Sequence, residues 1–437
     1  MNFLNLVLTS DDKYYNMMYD ITSNYYKKFN NVKTIYYMFS NEIEDDYMLD
    51  NNILYIKGNE TFRPGILDKT VKTFLYFKND YENYDYIVRS NISTIVNFNL
   101  LEILLNNTKI EYGGSPVWRL NGLLEKDGIM KPEYVNINFV QGNSIIISKN
   151  MIQKIIDNIQ FIDYDVIDDV AIGMLINSKF PDIVPYHINN RVYVHNCNGN
   201  YKELDNIMNY MIIQNKNNDR MIDVNQMKYI TAEGNEKYNY LIDIMYYNMC
   251  QNYSNIHEHL PTLKKYADEC NSIIQLGYDQ GNAVWAFIAS NYYKNKLLLV
   301  DNNPKYILDI LDITNKLNLN FSYKWCNYLD LEVNETFDLT FIDTWHVYGQ
   351  MKRELAKFSK ITNKYIIMHD TTVDEWYGES IRMGHDIIEE SKKSGFPEEE
   401  IISGVWPAII EFLTNNKEWV LHERYTNNNG LTILKKI

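Results

Sequence analysis

The chain has 437 residues, of which 46% are hydrophobic, and this is enough material for two or three folded domains. Its 42 basic and 57 acidic residues give a net charge of −15, which argues against nucleic acid or an anionic membrane surface as the main partner. No apolar run is long enough to cross a bilayer, so the sequence predicts no membrane span. The four cysteines show no Cys-x-x-Cys spacing, which favours a reducing compartment over a disulfide framework or a zinc site.

The amino-acid usage also suggests a source and a location. With 37 Tyr, only 9 Pro and many Asn, Ile and Lys residues, the composition is typical of an AT-rich genome, such as that of a giant virus or a low-GC microbe. The N-terminus has a short apolar run followed by charged residues, which predicts a β-strand rather than a signal peptide. We therefore expect a cytoplasmic protein, in the host cytoplasm if the source is viral. The sequence leaves its oligomeric state open.

Residues 1–200 alternate between strand and helix patterns, which predicts an α/β domain. Strands are predicted at NFLNLVLTS, KTIYYMFS, NILYIKG, YDYIVRS and FVQGNSIIIS. Helices are predicted where apolar residues recur at helical spacing, in DDKYYNMMYDITSNYYKKF, ILDKTVKTFLYF, FNLLEILLNN and MIQKIIDNI. Residues 201–265 are rich in Asn and Tyr and mostly helical in pattern, so we expect a helical linker that caps the following domain.

Residues 266–437 predict a second α/β domain. Strands are expected at SIIQLG, KLLLVD, FSYKWC, FDLTFID and YIIMHD, with helices between them. The chain ends in two strand patterns, WVLHERYT and LTILKK, around an Asn-Gly turn, which is a strong signal for a β-hairpin. The predicted fold class is therefore α/β, with two α/β domains.

Two strands of the second domain end in Asp and His residues. Asp343 closes FDLTFID, His346 follows it, and His369 and Asp370 close YIIMHD. Ligands of an open α/β sheet bind outside the carboxyl ends of its strands, so these side chains are expected at one site. Carboxylates bind hard metal ions, and a histidine moves protons near neutral pH. The alternative is that both histidines are ordinary half-buried residues at strand ends.

A glycine-containing turn upstream predicts a cofactor site. IIQLGYDQGNAVWAF has the pattern strand, turn, helix, and its Gly277 and Gly281 would let the backbone approach a ligand at a helix N-terminus. Asp301 ends the next strand, where a carboxylate can accept hydrogen bonds from ribose hydroxyls. The alternative is that Gly277 only makes the turn and Asp301 only caps a helix.

The motifs LGYDQG, LLLVD, FDLTFIDTWHVYGQMKREL, YIIMHDT and GVWPAIIEFL together resemble class I S-adenosylmethionine (SAM)-dependent methyltransferases. Within that class they are most similar to the metal-dependent O-methyltransferases of macrolide sugars and the related cephalosporin-hydroxylase-like proteins. The resemblance implies a Rossmann-like fold of five parallel strands with a terminal antiparallel hairpin. It also implies SAM as cofactor, Mg²⁺ bound by Asp343 and Asp370, and His346 as general base. Gln275 departs from the family, which usually has an acid there, although its amide can still bind the methionine amino group.

The first domain resembles GT-A glycosyltransferases of the fringe and β-1,3-galactosyltransferase type. The resemblance is carried by the order of ETFRPGILDKTVKTFLYF, YDYIVRSNISTIVNFNLL, YGG, FVQGNSIIIS and YDVIDDVAIG. It implies a GT-A-like domain that takes a nucleotide-sugar donor, a UDP-sugar, and a glycan acceptor, with Thr9 and Ser10 contacting the nucleotide. It also implies Asp169 or Asp168 as the general base. The alternative for this acidic pair is N-capping of the following helix.

The departure from this second family is the absence of a metal motif. Where the family has an Asp-x-Asp that holds Mn²⁺, this chain has Arg89-Ser90-Asn91. Three explanations stay open. A cation such as Arg89 or Lys69 offsets the leaving-group charge without metal, Asn91 holds Mn²⁺ weakly, or the domain is inactive.

Two functional hypotheses follow. The first is a bifunctional enzyme of glycan synthesis, which transfers a sugar from a nucleotide-sugar and methylates a sugar hydroxyl. The second is a sugar O-methyltransferase whose N-terminal domain is a non-catalytic glycan-binding module. A third hypothesis, a scaffold without any catalytic activity, is opposed by the set Asp343, His346 and Asp370.

Overall fold

The computed structural model describes residues 1–124, 126–194, 206–217, 219–278, 281–290, 296–302 and 307–437. The chain forms two compact units, Met1–Ala232 and Glu233–Ile437, referred to below as the N-terminal and C-terminal units. The segment 201–265, expected as a separate helical linker, is thus shared between the two units. Within the described residues, no helix is both long and apolar enough to cross a membrane.

The N-terminal unit is built on a mixed sheet. Its strands are β1 (Phe3–Leu8), β2 (Val32–Ser40), β3 (Tyr47–Asp50), β4 (Ile53–Lys57), β5 (Tyr86–Asn91), β6 (Thr94–Val96), β7 (Tyr112–Gly114), β8 (Val117–Arg119), β9 (Asn138–Val140), β10 (Ser144–Ser148), β11 (Tyr186–His187), β12 (Arg191–Val194) and β13 (Ile212–Asn215). Its helices are α1 (Lys13–Tyr26), α2 (Gly65–Tyr76), α3 (Phe98–Asn107), α4 (Lys149–Asp157), α5 (Asp168–Lys179) and α6 (Arg220–Thr231). Short 3-10 helices lie at Tyr81–Asn83, Pro132–Tyr134, Ile159–Phe161 and Ile207–Asn209.

The main sheet of this unit has eight strands in the order β11-β7-β10-β5-β1-β2-β4-β3. Two smaller sheets have the orders β12-β13-β6 and β8-β9. The central strand β1 pairs in parallel with β2 on one side and with β5 on the other. The chain therefore reverses its direction of winding beside β1, and ligands of doubly wound sheets bind at such a switch point.

The stretch FVQGNSIIIS, predicted as one strand, is two strands. A turn at Gln141, Gly142 and Asn143 separates β9 from β10. The backbone N–H of Gly142 donates to Asp169 Oδ2 at 2.9 Å instead of to a neighbouring strand. This side-chain partner satisfies the backbone group at the interruption, which a pattern of apolar residues cannot reveal.

Helix α4 illustrates how local sequence sets an element. Ser148 precedes the helix with an extended backbone, and its Oγ accepts a hydrogen bond from Met151 N at 3.1 Å. Such capping satisfies one of the free N–H groups of the first turn. The predicted apolar face is buried through Met151, Ile152 and Ile155.

The C-terminal unit contains the strands β14 (Ser272–Leu276), β15 (Lys296–Asp301), β16 (Phe321–Trp325), β17 (Phe337–Ile342), β18 (Thr362–His369), β19 (Trp419–Tyr425) and β20 (Leu431–Lys436). Its helices are α7 (Lys237–Gln251), α8 (Leu260–Asp268), α9 (Asn282–Ala289), α10 (Ile307–Lys316), α11 (Tyr348–Phe358), α12 (Glu379–Arg382), α13 (Ile387–Ser394), α14 (Glu398–Ile402) and α15 (Val405–Asn415). Short 3-10 helices lie at Gly234–Glu236, His257–His259 and Tyr328–Asp330.

One seven-stranded sheet, in the order β16-β15-β14-β17-β18-β20-β19, organises this unit. The strands β14 to β18 are parallel, and β20 pairs antiparallel with both β18 and β19. The expected Rossmann-like α/β fold with a terminal hairpin is confirmed. The strands β14 and β17 lie side by side at the switch point, so the carboxyl ends of these strands form the expected ligand-binding edge.

Candidate active sites

One candidate site lies at this edge of the C-terminal sheet. A cavity of about 930 Å³ is lined by residues that follow the five strands β14 to β18. Gly277 and Asp301 belong to the predicted cofactor motif, and Asp343, His346 and Asp370 to the predicted acid and base cluster. The two groups of residues, which are far apart in the sequence, therefore share one cavity.

His346 is the centre of the polar cluster. Its Nε2 lies 3.2 Å from Asp343 Oδ1. Its Nδ1 lies 3.2 Å from Asp370 Oδ2, 3.2 Å from Glu379 Oε2 and 3.6 Å from Asp374 Oδ2, without hydrogen-bond geometry to any of them. The imidazole is buried, so these charges act on it with little screening by solvent.

The carboxylates control the protonation of the histidine. Burial alone lowers the pKa of His346, but contacts with Asp343 and Glu379 and the charge of Asp370 hold its pKa well above the usual value. Burial raises the pKa of Asp343, whereas His369 and His346 outweigh this effect and hold its pKa well below the usual range. In this cluster the imidazole of His346 is therefore protonated and Asp343 is ionised.

His369 contacts Asp343 but is not one of the described residues that line the cavity. It is fully buried, its Nδ1 lies 3.2 Å from Asp343 Oδ1, and its Nε2 lies 3.0 Å from the carbonyl of Asn255. A ring held at both nitrogens fixes the carboxylate that it contacts.

The donor set of the cluster fits a divalent cation. Asp343, His346 and Asp370 each offer one ligand atom, and these atoms lie within 4.8 Å of one another. The buried atoms Asp370 Oδ1 and His346 Nδ1 have no hydrogen-bond partner. Two carboxylates suit Mg²⁺, which prefers oxygen ligands. Asp370 also has a φ of +57°, a left-handed conformation that is uncommon outside glycine and concentrates at functional sites.

Three residues of this site have no signal in the sequence. Glu379, Asp374 and Arg382 lie in the segment after β18, where no periodic pattern marks them. Glu379 and Arg382 line the cavity. Asp374 is fully buried and receives two hydrogen bonds from Arg382, from Nε at 2.7 Å and from Nη2 at 2.9 Å. Asp374 and Glu379 come close to His346 only through the fold, and Arg382 joins the site through its contacts with these two residues.

The cofactor motif has the backbone geometry that its glycines predict. Gly277 has a φ of +92°, and a Cβ there would lie 1.8 Å from the carbonyl oxygen of Asp343. Gly281 caps α9 with a φ of +79°. Asp301 is buried and its Oδ2 accepts from Tyr278 N at 2.6 Å, while Tyr328 Oη lies 3.4 Å away. The carboxylate is thereby fixed in the wall of the cavity.

Gln275 does not face the cavity in the way that the resemblance implies. Its side chain is buried, and its Nε2 donates to the carbonyl of Gly277 at 2.8 Å. It is not one of the described residues that line the cavity. The structure therefore gives Gln275 a role in holding the glycine turn, and direct contact with a cofactor is not supported by this geometry.

Glu354, on α11, is a buried acid with a testable pH dependence. Its oxygens accept from Gln350 Nε2 at 2.7 Å and from Thr344 Oγ1 at 2.9 Å, yet burial outweighs these contacts and raises its pKa to about 7. Because the folded state holds this proton more tightly, stability should be full below the unfolded pKa of about 4.3 and fall as the pH rises to about 7.

Glu354→Gln has no carboxyl group to titrate at this position, so it should not show this loss of stability as the pH rises. Its free energy of unfolding relative to wild type is expected to rise by about 3 kcal/mol between pH 4.5 and 7.5. Urea unfolding across this pH range measures the difference. Glu398→Gln, at an exposed position on α14, serves as the control and should show no such change. Parallel curves for wild type and Glu354→Gln would contradict the raised pKa.

The N-terminal unit has a smaller cavity at its own switch point. Its volume is about 390 Å³, and its wall contains Thr9 and Ser10 after β1, Asn91 at the end of β5, and Lys69 on α2. Four of the predicted nucleotide-site residues are therefore brought together. Arg89, Asp168 and Asp169 are not among the described residues that line it.

Lys69 is already neutralised in this cavity. Its Nζ donates to both carboxylate oxygens of Glu60, at 2.7 and 2.8 Å, and to the carbonyl of Thr9 at 2.8 Å. An ammonium group has only three N–H donors, so Lys69 has none left for a ligand. The predicted use of Lys69 to offset leaving-group charge is therefore not supported by its surroundings.

Arg89 is also committed elsewhere. The guanidinium is buried and forms an ion pair with Asp168, donates to Asn91 Oδ1 at 3.0 Å and to Tyr37 Oη at 3.2 Å, and contacts the carbonyl of Gly142. The predicted contact of Arg89 with a donor phosphate would require this network to break. Asp168 is likewise engaged as the partner of Arg89 rather than free as a base.

Asp169 retains the property that a base needs. Burial and the charge of Asp168 raise its pKa to about 7, against the opposing hydrogen bond from Gly142 N. A pKa near neutrality suits general base catalysis. Asp169 is buried, however, and acceptor access to it is not provided by the cavity described above.

The buried ion pair predicts an asymmetric mutational response. Arg89→Met should lower the free energy of unfolding by about 3–5 kcal/mol, because Asp168 is left buried and unpaired. Arg89→Met with Asp168→Leu should recover most of this loss. Lys109→Met is the control. The exposed Lys109 has its Nζ 3.9 Å from Glu111 Oε1, and its replacement should change the free energy of unfolding by less than about 1 kcal/mol. Equal losses in the single and double variants would contradict the pairing.

Comparisons with known proteins find only solved structures of low sequence identity and low TM-score. No family model and no curated protein matches the chain. A putative O-methyltransferase from Klebsiella pneumoniae is 11% identical, with 46% of this chain and 89% of that chain covered and a TM-score of 0.31. The S-adenosylhomocysteine-bound methyltransferase PaMTH1 of Podospora anserina is 12% identical over 45% and 87%, with a TM-score of 0.32. An O-methyltransferase of Bacillus cereus in complex with the same product is 12% identical over 46% and 90%, with a TM-score of 0.31. At these TM-scores the similarities carry no weight for the activity of this chain.

Proposed function

We propose that the C-terminal unit binds SAM and transfers its methyl group to a sugar hydroxyl, assisted by Mg²⁺. The observation that carries this proposal is the single cavity shared by the glycine turn with Asp301 and the cluster of Asp343, His346 and Asp370. A methyl transfer needs this combination, because donor and acceptor must be held side by side in a fixed orientation.

Each residue has a proposed role. Gly277 would let the backbone approach the cofactor, and Asp301, which lines the same cavity, would accept hydrogen bonds from the ribose hydroxyls. Asp343 and Asp370 would hold Mg²⁺. When bound, the ion would lower the pKa of a coordinated hydroxyl and, by its charge, oppose protonation of the neighbouring imidazole.

We assign the removal of the hydroxyl proton to His346. Its buried Nδ1 has no hydrogen-bond partner and is surrounded by carboxylates that stabilise an imidazolium. Glu379 fixes the residue further, because its Oε2 accepts from His346 N at 3.2 Å, and its own backbone N–H donates to the His346 carbonyl at 3.0 Å. A base held in this way contributes about 10²- to 10⁴-fold to the rate.

The wall of the cavity also suits a sugar ring. Trp345 and Phe396 both line it and stack on each other, with centroids 5.8 Å apart and an interplanar angle of 15°. An aromatic surface beside carboxylates and the Arg382 guanidinium offers apolar contact and hydrogen bonds at once, as sugar recognition requires.

Transfer of a labelled methyl group from SAM to a panel of neutral and acidic sugars tests the proposal. We expect a methylated sugar in the presence of Mg²⁺, and loss of the product in EDTA and in Asp370→Asn. Methylation that proceeds unchanged in EDTA would contradict the metal assistance. Methylation of amines or nucleic acids instead of sugars would contradict the acceptor class.

Binding of a UDP-sugar by the N-terminal unit, followed by transfer to a glycan, is the second candidate function. The cavity at the switch point, with Thr9, Ser10 and Asn91 in its wall, favours it and would make the chain bifunctional. The opposing candidate, a non-catalytic glycan-binding module, is favoured by the ion pair that engages Arg89 and Asp168. Release of UDP from UDP-sugars by the wild type but not by Asp169→Asn would support the enzyme.

A further inference from the structure

We propose that Arg220 is the cation that binds the phosphate groups of a nucleotide in the N-terminal cavity, without a divalent metal ion. The inference rests on the proposed nucleotide site of this unit. Arg220 takes the place of Arg89 and Lys69, the two cations that the sequence suggested. It lies far from the Arg89-Ser90-Asn91 segment in the sequence.

The position of Arg220 is set by α6. Arg220 is the first residue of this helix, and Asp219 caps it by accepting from Met221 N at 2.7 Å. The guanidinium carbon lies 5.6 Å from the centroid of the Tyr15 ring, and both side chains line the cavity. With 35% of its side chain exposed, Arg220 is accessible to a ligand, whereas Arg89 is not.

Charge in the cavity favours an anion recognised by arginine. Glu60 is the single carboxylate among the described residues that line the cavity, and both of its oxygens receive hydrogen bonds from Lys69. This leaves no acidic pair there to hold a metal ion, while Ser10 and Ser93 add hydroxyl donors. Arginine binds phosphate oxygens through charge-assisted and often bidentate hydrogen bonds.

Asp223 holds the guanidinium in place beneath the cavity. Its Oδ2 accepts from Arg220 Nη1 at 2.7 Å, and its Oδ1 accepts from Asn217 N at 2.9 Å and from Asn217 Nδ2 at 2.8 Å. Asp223 is fully buried and does not line the cavity. Arg220 Nη2 also donates to Tyr15 Oη at 3.5 Å. These two contacts use two of the five N–H donors of the guanidinium, so the anchored group keeps donors for a ligand. Such pre-organisation reduces the cost of ordering on binding.

Calorimetric titration of the 437-residue chain with UDP, uridine and pyrophosphate in EDTA tests the proposal. We expect UDP and pyrophosphate to bind and uridine to bind more weakly. Arg220→Gln alone would leave Asp223 unpaired, so the test variant is Arg220→Gln with Asp223→Asn, which should weaken UDP binding by about 10-fold or more. Arg220→Lys keeps the charge but not the planar group, and it should weaken UDP binding less than the double variant does.

The controls separate the role of Arg220 from folding and from the methyltransferase proposal. Asp223→Asn alone keeps Arg220 but removes its anchor, so it should bind UDP more weakly than the wild type and more tightly than the double variant. Arg119→Gln removes an exposed cation elsewhere in the unit and should bind UDP as the wild type does. Affinity for S-adenosylhomocysteine reports on the C-terminal unit and should be the same in every variant. UDP binding that requires Mn²⁺, that is absent in the wild type, or that is unchanged in the double variant would overturn the proposal.

Discussion

Replacing His346 with glutamine is expected to lower kcat for methyl transfer by about 10²- to 10⁴-fold. Glutamine has similar reach and keeps a polar group among Asp343, Asp370 and Glu379, but it cannot accept the proton of the acceptor hydroxyl. The measurement is the initial rate of methyl transfer under saturating SAM. Affinity for S-adenosylhomocysteine should stay within about twofold, because the role proposed for His346 is proton removal from the acceptor and not cofactor binding.

His385→Gln is the matched control for this prediction. His385 also contacts a carboxylate, with Nδ1 at 2.8 Å from Glu390 Oε1, but it is not one of the described residues that line the cavity. Its replacement should leave kcat unchanged. Equal activity of His346→Gln and wild type would remove His346 from the mechanism and leave proton transfer to another group.

Replacing Gly277 with alanine is expected to abolish binding of S-adenosylhomocysteine and to lower the free energy of unfolding by about 2–4 kcal/mol. The added Cβ would lie 1.8 Å from the carbonyl oxygen of Asp343 and 2.7 Å from its carbonyl carbon, and both are backbone atoms that cannot turn away. The turn and the start of the acidic cluster must therefore separate. Thermal unfolding and calorimetry measure the two effects.

Gly234→Ala controls for the backbone conformation alone. Gly234 has a φ of +62°, but a Cβ there meets nothing within 4 Å, so its replacement should cost only about 1 kcal/mol and leave cofactor affinity intact. If the two alanine variants bind S-adenosylhomocysteine equally well, then the close approach of β14 to Asp343 does not shape the cofactor site.

The sequence was sufficient for the seven strands of the C-terminal unit and for the proximity of Asp343, His346 and Asp370. Strand patterns such as KLLLVD and FDLTFID are long apolar runs, which mark parallel strands buried on both faces. Because parallel strands end at a common edge, the clustering of Asp343 with Asp370 could be expected from their positions alone. Glu379 could not, because its contact with His346 spans 33 residues and leaves no local pattern.

Sequence analysis reaches less far in the N-terminal unit. The strands β1, β2, β4 and β5 were predictable, but the turn between β9 and β10 and the partners of the charged residues were not. Arg89 and Lys69 are cations at suggestive positions in the sequence, yet both are engaged in ion pairs, Arg89 with the buried Asp168 and Lys69 with the more exposed Glu60. Arg220 follows a linker-like segment and carries no motif, although the fold brings it to the cavity wall. Charge pairing depends on tertiary contacts, which single-sequence patterns do not encode.

Titration of the chain with S-adenosylhomocysteine, compared with Asp301→Ala, tests whether the C-terminal cavity binds SAM. We expect saturable binding at one site per chain, and an affinity about 10-fold or more lower in Asp301→Ala, because the carboxylate proposed to bind the ribose hydroxyls is lost. An absence of binding by the wild type at millimolar concentration, or equal binding by the two proteins, would contradict a SAM site in this cavity.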